Sequence, residues 1–293
     1  MKNFISLCFL ALLSISVIAQ QNELNILHIT SSHTSFPDTG RANGHLYNNI
    51  SYDASAHYTD SSILIIVPQN IDVKKKVDLV FWFHGWNNNI DSALIRYQLA
   101  SQFAASRLNA VLVLAETAKN SPDSYGGKLE NPGVFKELVA DVLKKLKAGK
   151  ICKKCEPGNI LLAGHSGAYR VMAYILQNGD LPVRETILFD ALYADTDKFM
   201  NWIKADSNHR FLDIYTDHGG TDAETRNMMN LLAIENISYD SLEEASLTPR
   251  IIKGNRLIFI HSLHLHNDII NNPDNFLLFL ENNPDFFTFC FIK

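Results

Sequence analysis

The chain carries a serine in a setting that suits covalent chemistry. Ser166 lies in the pentapeptide Gly-His-Ser-Gly-Ala, residues 164–168, directly after the apolar run 160–163 and before a segment with helical spacing. A sharp turn from strand to helix exposes a hydroxyl, and it needs small residues two places before and after that hydroxyl. The N–H groups that begin the helix would face a developing negative charge. The pattern favours a nucleophile, and the alternative is a serine that only caps the helix.

The elements that would position this serine alternate along the chain. Strand-like apolar runs occur at residues 63–67, 79–83, 110–115, 160–163, 186–189, 211–215 and 257–260. Helical spacing occurs at residues 91–107, 134–146, 168–177, 196–205, 221–235 and 274–282. This alternation predicts an α/β fold with a mostly parallel central sheet and helices on both faces. Ligands of such sheets bind at the carboxyl ends of the strands, so residues that follow strands are the candidates for function.

The motifs and their order resemble the α/β-hydrolase superfamily. The similarity runs from about residue 63 to residue 280. More narrowly, the His-Gly-Trp-Asn turn at residues 84–87 and the Gly-His-Ser-Gly-Ala-Tyr-Arg segment at residues 164–170 resemble secreted bacterial serine hydrolases of an esterase branch. The elbow ends in Ala168, where the usual motif has Gly. The resemblance implies the α/β-hydrolase fold and a triad in the chain order serine, acid, histidine.

The same resemblance implies an oxyanion hole. The strand predicted at residues 79–83 leads into a His-Gly turn, and in the family this turn contributes one backbone N–H. The residue after the nucleophile contributes the other, so the donors by position are Trp86 and Gly167. Removing one such donor typically costs about 3–4 kcal/mol of transition-state stabilisation. The Trp86 side chain is alternatively a wall of the substrate pocket, and His84 is expected to be structural.

Three histidines near the end of the chain compete for the role of general base. They are His261, His264 and His266. Members of the family commonly place this histidine seven residues before a proline that begins the last helix, and Pro273 has that relation to His266. We therefore predict that His266 takes the proton of the nucleophile. A metal site remains the alternative, because His264 and His266 form an HxH pair, although no HExxH spacing accompanies it.

Two aspartates are candidates for the acid that orients the histidine. Asp190 follows the strand predicted at residues 186–189, in an apolar context where an unpaired carboxylate would be costly. Asp217 follows the strand predicted at residues 211–215, in a polar loop with two glycines, which is the usual place of this acid in the family. We favour Asp190 and keep Asp217 as the alternative. Their other interpretations are a structural anchor for Asp190 and a solvated turn residue for Asp217.

Composition and charge narrow the classes of partner. The 293 residues suffice for one large domain with a buried core, and 46% of them are hydrophobic. The 26 Lys and Arg residues against 31 Asp and Glu residues give a formal net charge of −5. A chain of this charge has no basic field for nucleic acid or anionic lipid. The partners we expect are a small-molecule or peptide substrate.

The beginning of the chain indicates export. Lys2 precedes an apolar stretch of about 16 residues that ends near Ala19, which is short for a membrane anchor and typical of a signal peptide. We therefore divide the chain into a signal peptide at residues 1–19, an N-terminal arm packed on the domain at 20–61 and an α/β-hydrolase domain at 62–293. The expected location is periplasmic or extracellular, with no integral membrane association after cleavage.

Three cysteines follow the predicted signal peptide. Cys152 and Cys155 form a CxxC sequence that would close a small disulfide loop in an oxidising compartment. A redox-active pair is the less favoured interpretation, since no thioredoxin-like context surrounds it. Cys290 has no evident partner in the sequence.

The predicted activity is the hydrolysis of a carboxylic ester through an acyl-enzyme intermediate, with no cofactor and no metal. An ester is favoured because its leaving group needs the least assistance. Three alternatives stay open: a peptidase or amidase with the same triad, a catalytically silent ligand-binding protein of the same fold, and a metal-dependent hydrolase that uses the histidines of residues 261–266.

Overall fold

Strands rich in β-branched and aromatic residues form the centre of the molecule in the computed structural model, which describes residues 24–73 and 76–288. The strands of these residues are β1 (Leu24–Thr30), β2 (His45–Tyr47), β3 (Ile50–Tyr52), β4 (Ser62–Pro68), β5 (Lys76–Phe83), β6 (Ala110–Ala115), β7 (Glu156–His165), β8 (Glu185–Phe189), β9 (Arg210–Thr216), β10 (Asp240–Glu243) and β11 (Leu257–Ser262). β2 and β3 form a separate antiparallel hairpin. The other nine strands form one sheet.

The order of strands in this sheet is β1-β4-β6-β5-β7-β8-β9-β11-β10. β1 and β4 run antiparallel to their neighbours, and all the other pairs are parallel. β5, β7, β8, β9 and β11 therefore end at the same edge of the sheet. The predicted site residues follow these strands, so the topology gathers them at one edge.

Helices cover both faces of the sheet, as the sequence predicts. The helices of the described residues are α1 (Ala54–His57), α2 (Ile90–Arg96), α3 (Leu99–Ser106), α4 (Val134–Ala148), α5 (Tyr169–Asn178), α6 (Thr196–Ala205), α7 (Asp222–Ile234), α8 (Pro249–Gly254) and α9 (Asn275–Glu281). α4 to α7 pack on one face, and α2, α3, α8 and α9 pack on the other. The predicted α/β fold with a mostly parallel sheet is confirmed.

The alternation of side chains along β5 builds both cores. Leu79 and Phe81 face the core under α4 to α7, whereas Val80 and Trp82 face the core under α2, α3 and α9. Each of these side chains is almost completely buried. A strand that is buried on both faces has a continuous run of apolar residues, and for this reason the sequence predicts β5.

The structure differs from the sequence prediction at several elements. The single helix predicted over residues 91–107 is two helices, because Gln98 takes a left-handed φ of 51° between α2 and α3. β1 lies in the segment predicted as an arm, and it forms an edge strand of the sheet. β10 is a short strand at the other edge. Its segment, Asp-Ser-Leu-Glu, has none of the apolar periodicity that predicts a strand.

The ends of the chain fall partly outside the described residues. The predicted signal peptide lies there, as does Cys290. Cys152 and Cys155 form a disulfide just before β7. Within residues 24–73 and 76–288, no helix combines the length and the apolar character that a membrane span requires.

Candidate active site at the carboxyl edge of the sheet

Ser166 lies in a strained turn between β7 and α5. Its φ is 56°, in the left-handed region that a non-glycine residue rarely adopts. A Cβ at Gly164 would lie 2.5 Å from Sδ of Met172 and 2.7 Å from Cβ of Ala168. The turn therefore needs glycine at 164, while the small side chain of Ala168 fits where the usual motif has Gly. The conformation presents Ser166 above the end of the strand.

His266 and Asp190 are joined at this edge. The Nδ1 atom of His266 lies 2.5 Å from Oδ2 of Asp190. Asp190 is completely buried and has a left-handed φ of 46°, and its backbone N–H donates to the Ile214 carbonyl at 2.7 Å. The Thr221 hydroxyl donates to the other carboxylate oxygen of Asp190. Both oxygens of the buried carboxylate are thus hydrogen-bonded, which makes its burial tolerable.

Asp217, the alternative acid, pairs with a different histidine. Its Oδ1 lies 3.1 Å from Nε2 of His261, and Oε2 of Glu243 lies 2.8 Å from Nδ1 of the same ring. Burial lowers the pKa of His261, but the hydrogen bonds and charges of Glu243 and Asp217 outweigh it, so the net shift is upward. The structure thus places Asp190 and not Asp217 beside His266.

Ser166 and His266, the candidate nucleophile and the candidate base, lie at the same edge of the sheet without a direct hydrogen bond. The imidazole of His165, the residue before Ser166, packs on the His266 ring with 4.4 Å between the ring centroids. Ser166 and His266, both within the described residues, form no hydrogen bond with each other. Such catalytic hydrogen bonds are often long or poorly aligned until substrate binds.

The predicted oxyanion turn packs directly against Ser166. A Cβ at Gly85 would lie 2.6 Å from Cβ of Ser166 and 3.1 Å from the backbone nitrogen of Gly167. The residue that follows Gly85 is Trp86, so the backbone N–H groups of Trp86 and Gly167 belong to segments in contact. A glycine at 85 is required for this approach.

A buried pair of hydrogen-bonded side chains supports this turn. Nε2 of His84 lies 2.6 Å from Oε1 of Glu116, and Nδ1 of the same ring lies 2.8 Å from the Gly85 carbonyl. Both side chains are about 1% exposed. Because Gly85 O belongs to the peptide that carries the Trp86 N–H, His84 fixes the orientation of that peptide. This agrees with the structural role predicted for His84.

Aromatic side chains border Ser166. The indole of Trp86 is 41% exposed, and its Nε1 donates to the Ser124 hydroxyl at 2.7 Å. Tyr47 contacts the same indole edge to face, with ring centroids 5.2 Å apart. On another side, the Tyr193 hydroxyl donates to the Gly219 carbonyl at 2.5 Å. Burial raises the pKa of Tyr193 to about 12, and a hydrogen bond with Ser166 opposes the rise.

Comparison with known proteins agrees with this architecture. No protein-family model matches the chain, and no curated protein is similar to it in sequence. Among solved structures it is similar to a ferulic acid esterase, with a TM-score of 0.56 and 9% identity over 88% of this chain and 98% of that one. It is also similar to a serine-to-alanine mutant of the feruloyl esterase module of Clostridium thermocellum in complex with sinapinate. There the TM-score is 0.50 and the identity 12%, over 92% of each chain.

The chain has the α/β-hydrolase fold. The likeness covers nearly all of both chains.

Three residues of this α/β-hydrolase site were missed in the sequence. Thr221 binds Asp190, Gly219 packs on the Asp190 carboxylate so closely that a Cβ there would overlap it, and Tyr193 faces Ser166. All three follow β8 or β9 in loops at the carboxyl edge. In the sequence, the glycine pair at 219–220 indicates that the backbone passes close to another group. It does not indicate that this group is the Asp190 carboxylate.

The HxH pair of His264 and His266 is the alternative metal site that the sequence leaves open. His264 lies 3.8 Å from Glu244, while His266 is engaged by Asp190. In residues 24–73 and 76–288, no three His, Cys, Asp or Glu side chains converge as a metal site requires. The HxH pair therefore has no third ligand among the described residues.

A cavity of about 1060 Å³ opens at the opposite edge of the sheet, where the strands begin. Its lining includes Lys76, Asn109 and Arg184, and it contains none of the predicted site residues. The candidate active site of this α/β-hydrolase fold is therefore assigned from its chemistry and not from the volume of a cavity.

Proposed function

We propose that this protein is an exported serine hydrolase that cleaves a carboxylic ester through an acyl-enzyme intermediate. Ser166 is the nucleophile, His266 the general base and Asp190 the acid that orients it. The hydrogen bond between His266 and Asp190, at the edge where Ser166 occupies a strained turn, carries the proposal. Both similar solved structures are esterases, which agrees with ester hydrolysis but does not define the substrate.

The hydrogen bonds of the acid determine which nitrogen of His266 is the base. A carboxylate only accepts hydrogen bonds, so the proton between Asp190 and His266 is on Nδ1. Nε2 of the neutral imidazole then keeps its lone pair, and this is the atom that takes the Ser166 proton. Asp190 stabilises the imidazolium that forms.

The reaction has two halves. The oxygen of Ser166 attacks the ester carbonyl carbon while its proton passes to His266, and the N–H groups of Trp86 and Gly167 hold the oxyanion. The tetrahedral intermediate collapses, the bond to the alcohol oxygen breaks, and His266 returns the proton to that oxygen. Water then attacks the acyl-enzyme and gives a proton to His266, and collapse releases the acid and restores the serine hydroxyl.

A fluorophosphonate probe together with graded p-nitrophenyl esters tests the proposal. We expect the purified protein to be labelled at Ser166, to hydrolyse at least one of the esters, and to lose both properties in Ser166→Ala. Ser101→Ala is the matched control, because Ser101 lies on α3 and its hydroxyl bonds only to the Gln98 carbonyl. A wild-type protein that is not labelled contradicts the proposal and favours a silent binding protein. Activity that survives Ser166→Ala but is lost on chelation favours a metal hydrolase.

The choice between ester and amide needs a direct comparison. We expect p-nitrophenyl esters to be cleaved faster than peptide p-nitroanilides of the same acyl group, since p-nitrophenoxide leaves without a proton whereas p-nitroaniline must be protonated as it leaves. A preference for the anilides would instead assign a peptidase or amidase with the same triad.

Export is part of the proposal and has its own support. The signal-like residues 1–19 and the disulfide between Cys152 and Cys155 both favour an oxidising compartment. Mass spectrometry of protein from the native host should find a mature chain that begins after Ala19, outside the cytoplasm. A chain that still begins with Met1 in the cytoplasm would contradict this part only.

A further inference from the structure

His165, the residue directly before Ser166, contacts the loop that carries the base. Its side chain is 3% exposed. Its Nε2 lies 2.9 Å from the backbone carbonyl oxygen of His266, and its ring packs on the His266 ring with centroids 4.4 Å apart. A carbonyl oxygen only accepts, so Nε2 of His165 is the donor. One buried side chain thus holds both the backbone and the ring of His266.

Tyr97 connects the same histidine to the next residue of the loop. Its hydroxyl lies 3.2 Å from Nδ1 of His165 and 3.1 Å from Oδ1 of Asn267, and because both atoms are acceptors its single proton is donated to one of them at a time. Tyr97 itself is 1% exposed and lies at the break between α2 and α3. The two side chains therefore tie residues 266 and 267 to the end of β7.

The loop that carries His266 needs a contact that fixes its backbone, such as the one with His165. Leu263 and Leu265, which precede His266, are 77% and 59% exposed, so they add little packing on the domain. The bond to Asp190 fixes only the ring of His266. The hydrogen bond from His165 is the one that fixes the His266 carbonyl.

His165 is suited to this role because it stays uncharged. Burial, and secondarily the nearness of His266, lowers the pKa of His165 to about 3. A neutral ring next to the base does not oppose the charge that His266 acquires during the reaction.

We propose that His165, supported by Tyr97, is a positioning residue that sets the distance between His266 and Ser166. It acts through the hydrogen bond to the His266 carbonyl and through the contact between the two rings. The inference rests on the proposed function for its kinetic test, because it concerns the proton transfer between these two residues.

Two substitutions at one position separate the hydrogen bond from the space that the ring fills. His165→Leu keeps much of the volume and removes the donor, whereas His165→Gln keeps an N–H donor near the place of Nε2. With active sites titrated by the fluorophosphonate probe, we expect kcat for p-nitrophenyl acetate to fall about 100-fold in His165→Leu with KM nearly unchanged. His165→Gln should have a kcat about tenfold higher than that of His165→Leu. If His165→Leu does not fold, Tyr97→Phe and His165→Gln carry the test, and both should lower kcat.

His209→Leu is a matched control at the far edge of the sheet. Nδ1 of His209 lies 2.6 Å from the Trp202 carbonyl oxygen, and its ring stacks on the Trp202 ring with centroids 4.4 Å apart. His209→Leu thus removes the same two kinds of contact as His165→Leu, a hydrogen bond to a backbone carbonyl and a contact between two rings. Both variants should therefore have a lower melting temperature than the wild type. We expect kcat per active site to remain at the wild-type value.

A proton NMR measurement makes the test independent of activity. The proton between His266 and Asp190 should give a low-field resonance in the wild-type protein, and this resonance should broaden or vanish in His165→Leu but not in His209→Leu. If the resonance and kcat of His165→Leu match the wild type, or if the Gln and Leu variants have equal kcat, the positioning role is wrong. A wild-type protein without esterase activity refutes the proposed function, whereas the resonance still decides whether His165 holds His266.

Discussion

Nδ1 of His266 lies 2.5 Å from Oδ2 of Asp190, and this contact separates the two aspartates that the sequence leaves in competition. Asp190 is buried, bound by Thr221 and aligned with the imidazole. Asp217 is bound to His261, which also contacts Glu243. We therefore expect replacement by asparagine to have opposite effects on activity at the two positions, a large loss at Asp190 and no change at Asp217.

Asp190→Asn should abolish most of the activity. An amide can donate to Nδ1 and so place the proton of His266 on Nε2, which removes the base from the nucleophile. We expect kcat for p-nitrophenyl acetate to fall by about 10⁴-fold. The measurement is steady-state kinetics on protein whose folding is checked by circular dichroism.

Asp217→Asn is the control for that experiment, since it has the same chemistry in a loop of the same edge. It should leave kcat unchanged and should weaken only the contact with His261. Equal losses in the two variants, or a larger loss in Asp217→Asn, would show that the acid is assigned to the wrong residue.

Gly85→Ala should damage the oxyanion turn. The added Cβ would lie 2.6 Å from Cβ of Ser166 and 2.7 Å from the His165 carbonyl oxygen, so the turn must move away from the nucleophile. Loss of one well-aligned N–H donor lowers kcat by about 10²–10³-fold. Gly254→Ala, at the end of α8, meets nothing within 4 Å and should keep full activity. Kinetics of both variants, with labelled active sites counted, make the comparison, and wild-type kcat in Gly85→Ala would contradict the packing argument.

Thr221→Val and Thr225→Val should both lower the stability of the protein, but only Thr221→Val should lower its activity. Thr221 donates to Asp190, whereas Thr225, one helical turn later, donates to the buried Asp213 at 2.7 Å. In urea unfolding below pH 7, Thr221→Val should lower the free energy of unfolding by about 1.5–3 kcal/mol, because its partner is a carboxylate, and Thr225→Val by about 0.5–1.5 kcal/mol, because its partner is protonated. We expect kcat to fall only in Thr221→Val, because only that threonine orients the acid. A similar fall in Thr225→Val would mean that α7 as a whole, and not Thr221, holds Asp190.

The parts of the site that the sequence predicts are those with local signals. Ser166 stands in a five-residue motif between a strand and a helix, and His266 is selected by its spacing from Pro273 together with the family resemblance. The central strands are apolar on both faces, so their positions along the chain and the α/β fold follow from the sequence.

The choice of the acid and the residues around it depend on contacts between distant segments. Asp190 and Asp217 both follow strands, and what distinguishes them is the fold of the loop that brings Gly219 and Thr221 onto Asp190. Left-handed φ values at Asp190 and Gln98 are set by tertiary packing, and no local pattern indicates them. The edge strands β1 and β10 escape prediction for a related reason, because one-sided or polar strands lack a continuous apolar run.

Asp213 should make stability depend on pH in a direction opposite to that of most carboxylates. It lies within β9, completely buried, with Thr225 as its donor, and its Oδ1 has no hydrogen-bond partner among the described residues. Burial, opposed by the Thr225 bond and supported by the charge of Asp190, raises the pKa of Asp213 from 3.8 to about 7. The folded state therefore holds a proton that the unfolded state releases between these values.

The free energy of unfolding should consequently fall as pH rises from about 4 to 7, by about 1.4 kcal/mol for each pH unit and by about 4 kcal/mol in all. Below the lower value both states are protonated, and above the upper value both are ionised, so the contribution is constant outside this window. Asp213→Asn keeps the acceptor for Thr225 and cannot ionise. Urea unfolding of the two proteins should then give similar stabilities at pH 4 and a more stable variant at pH 8. A difference between the proteins that does not change with pH would show that Asp213 is ionised in the folded state throughout.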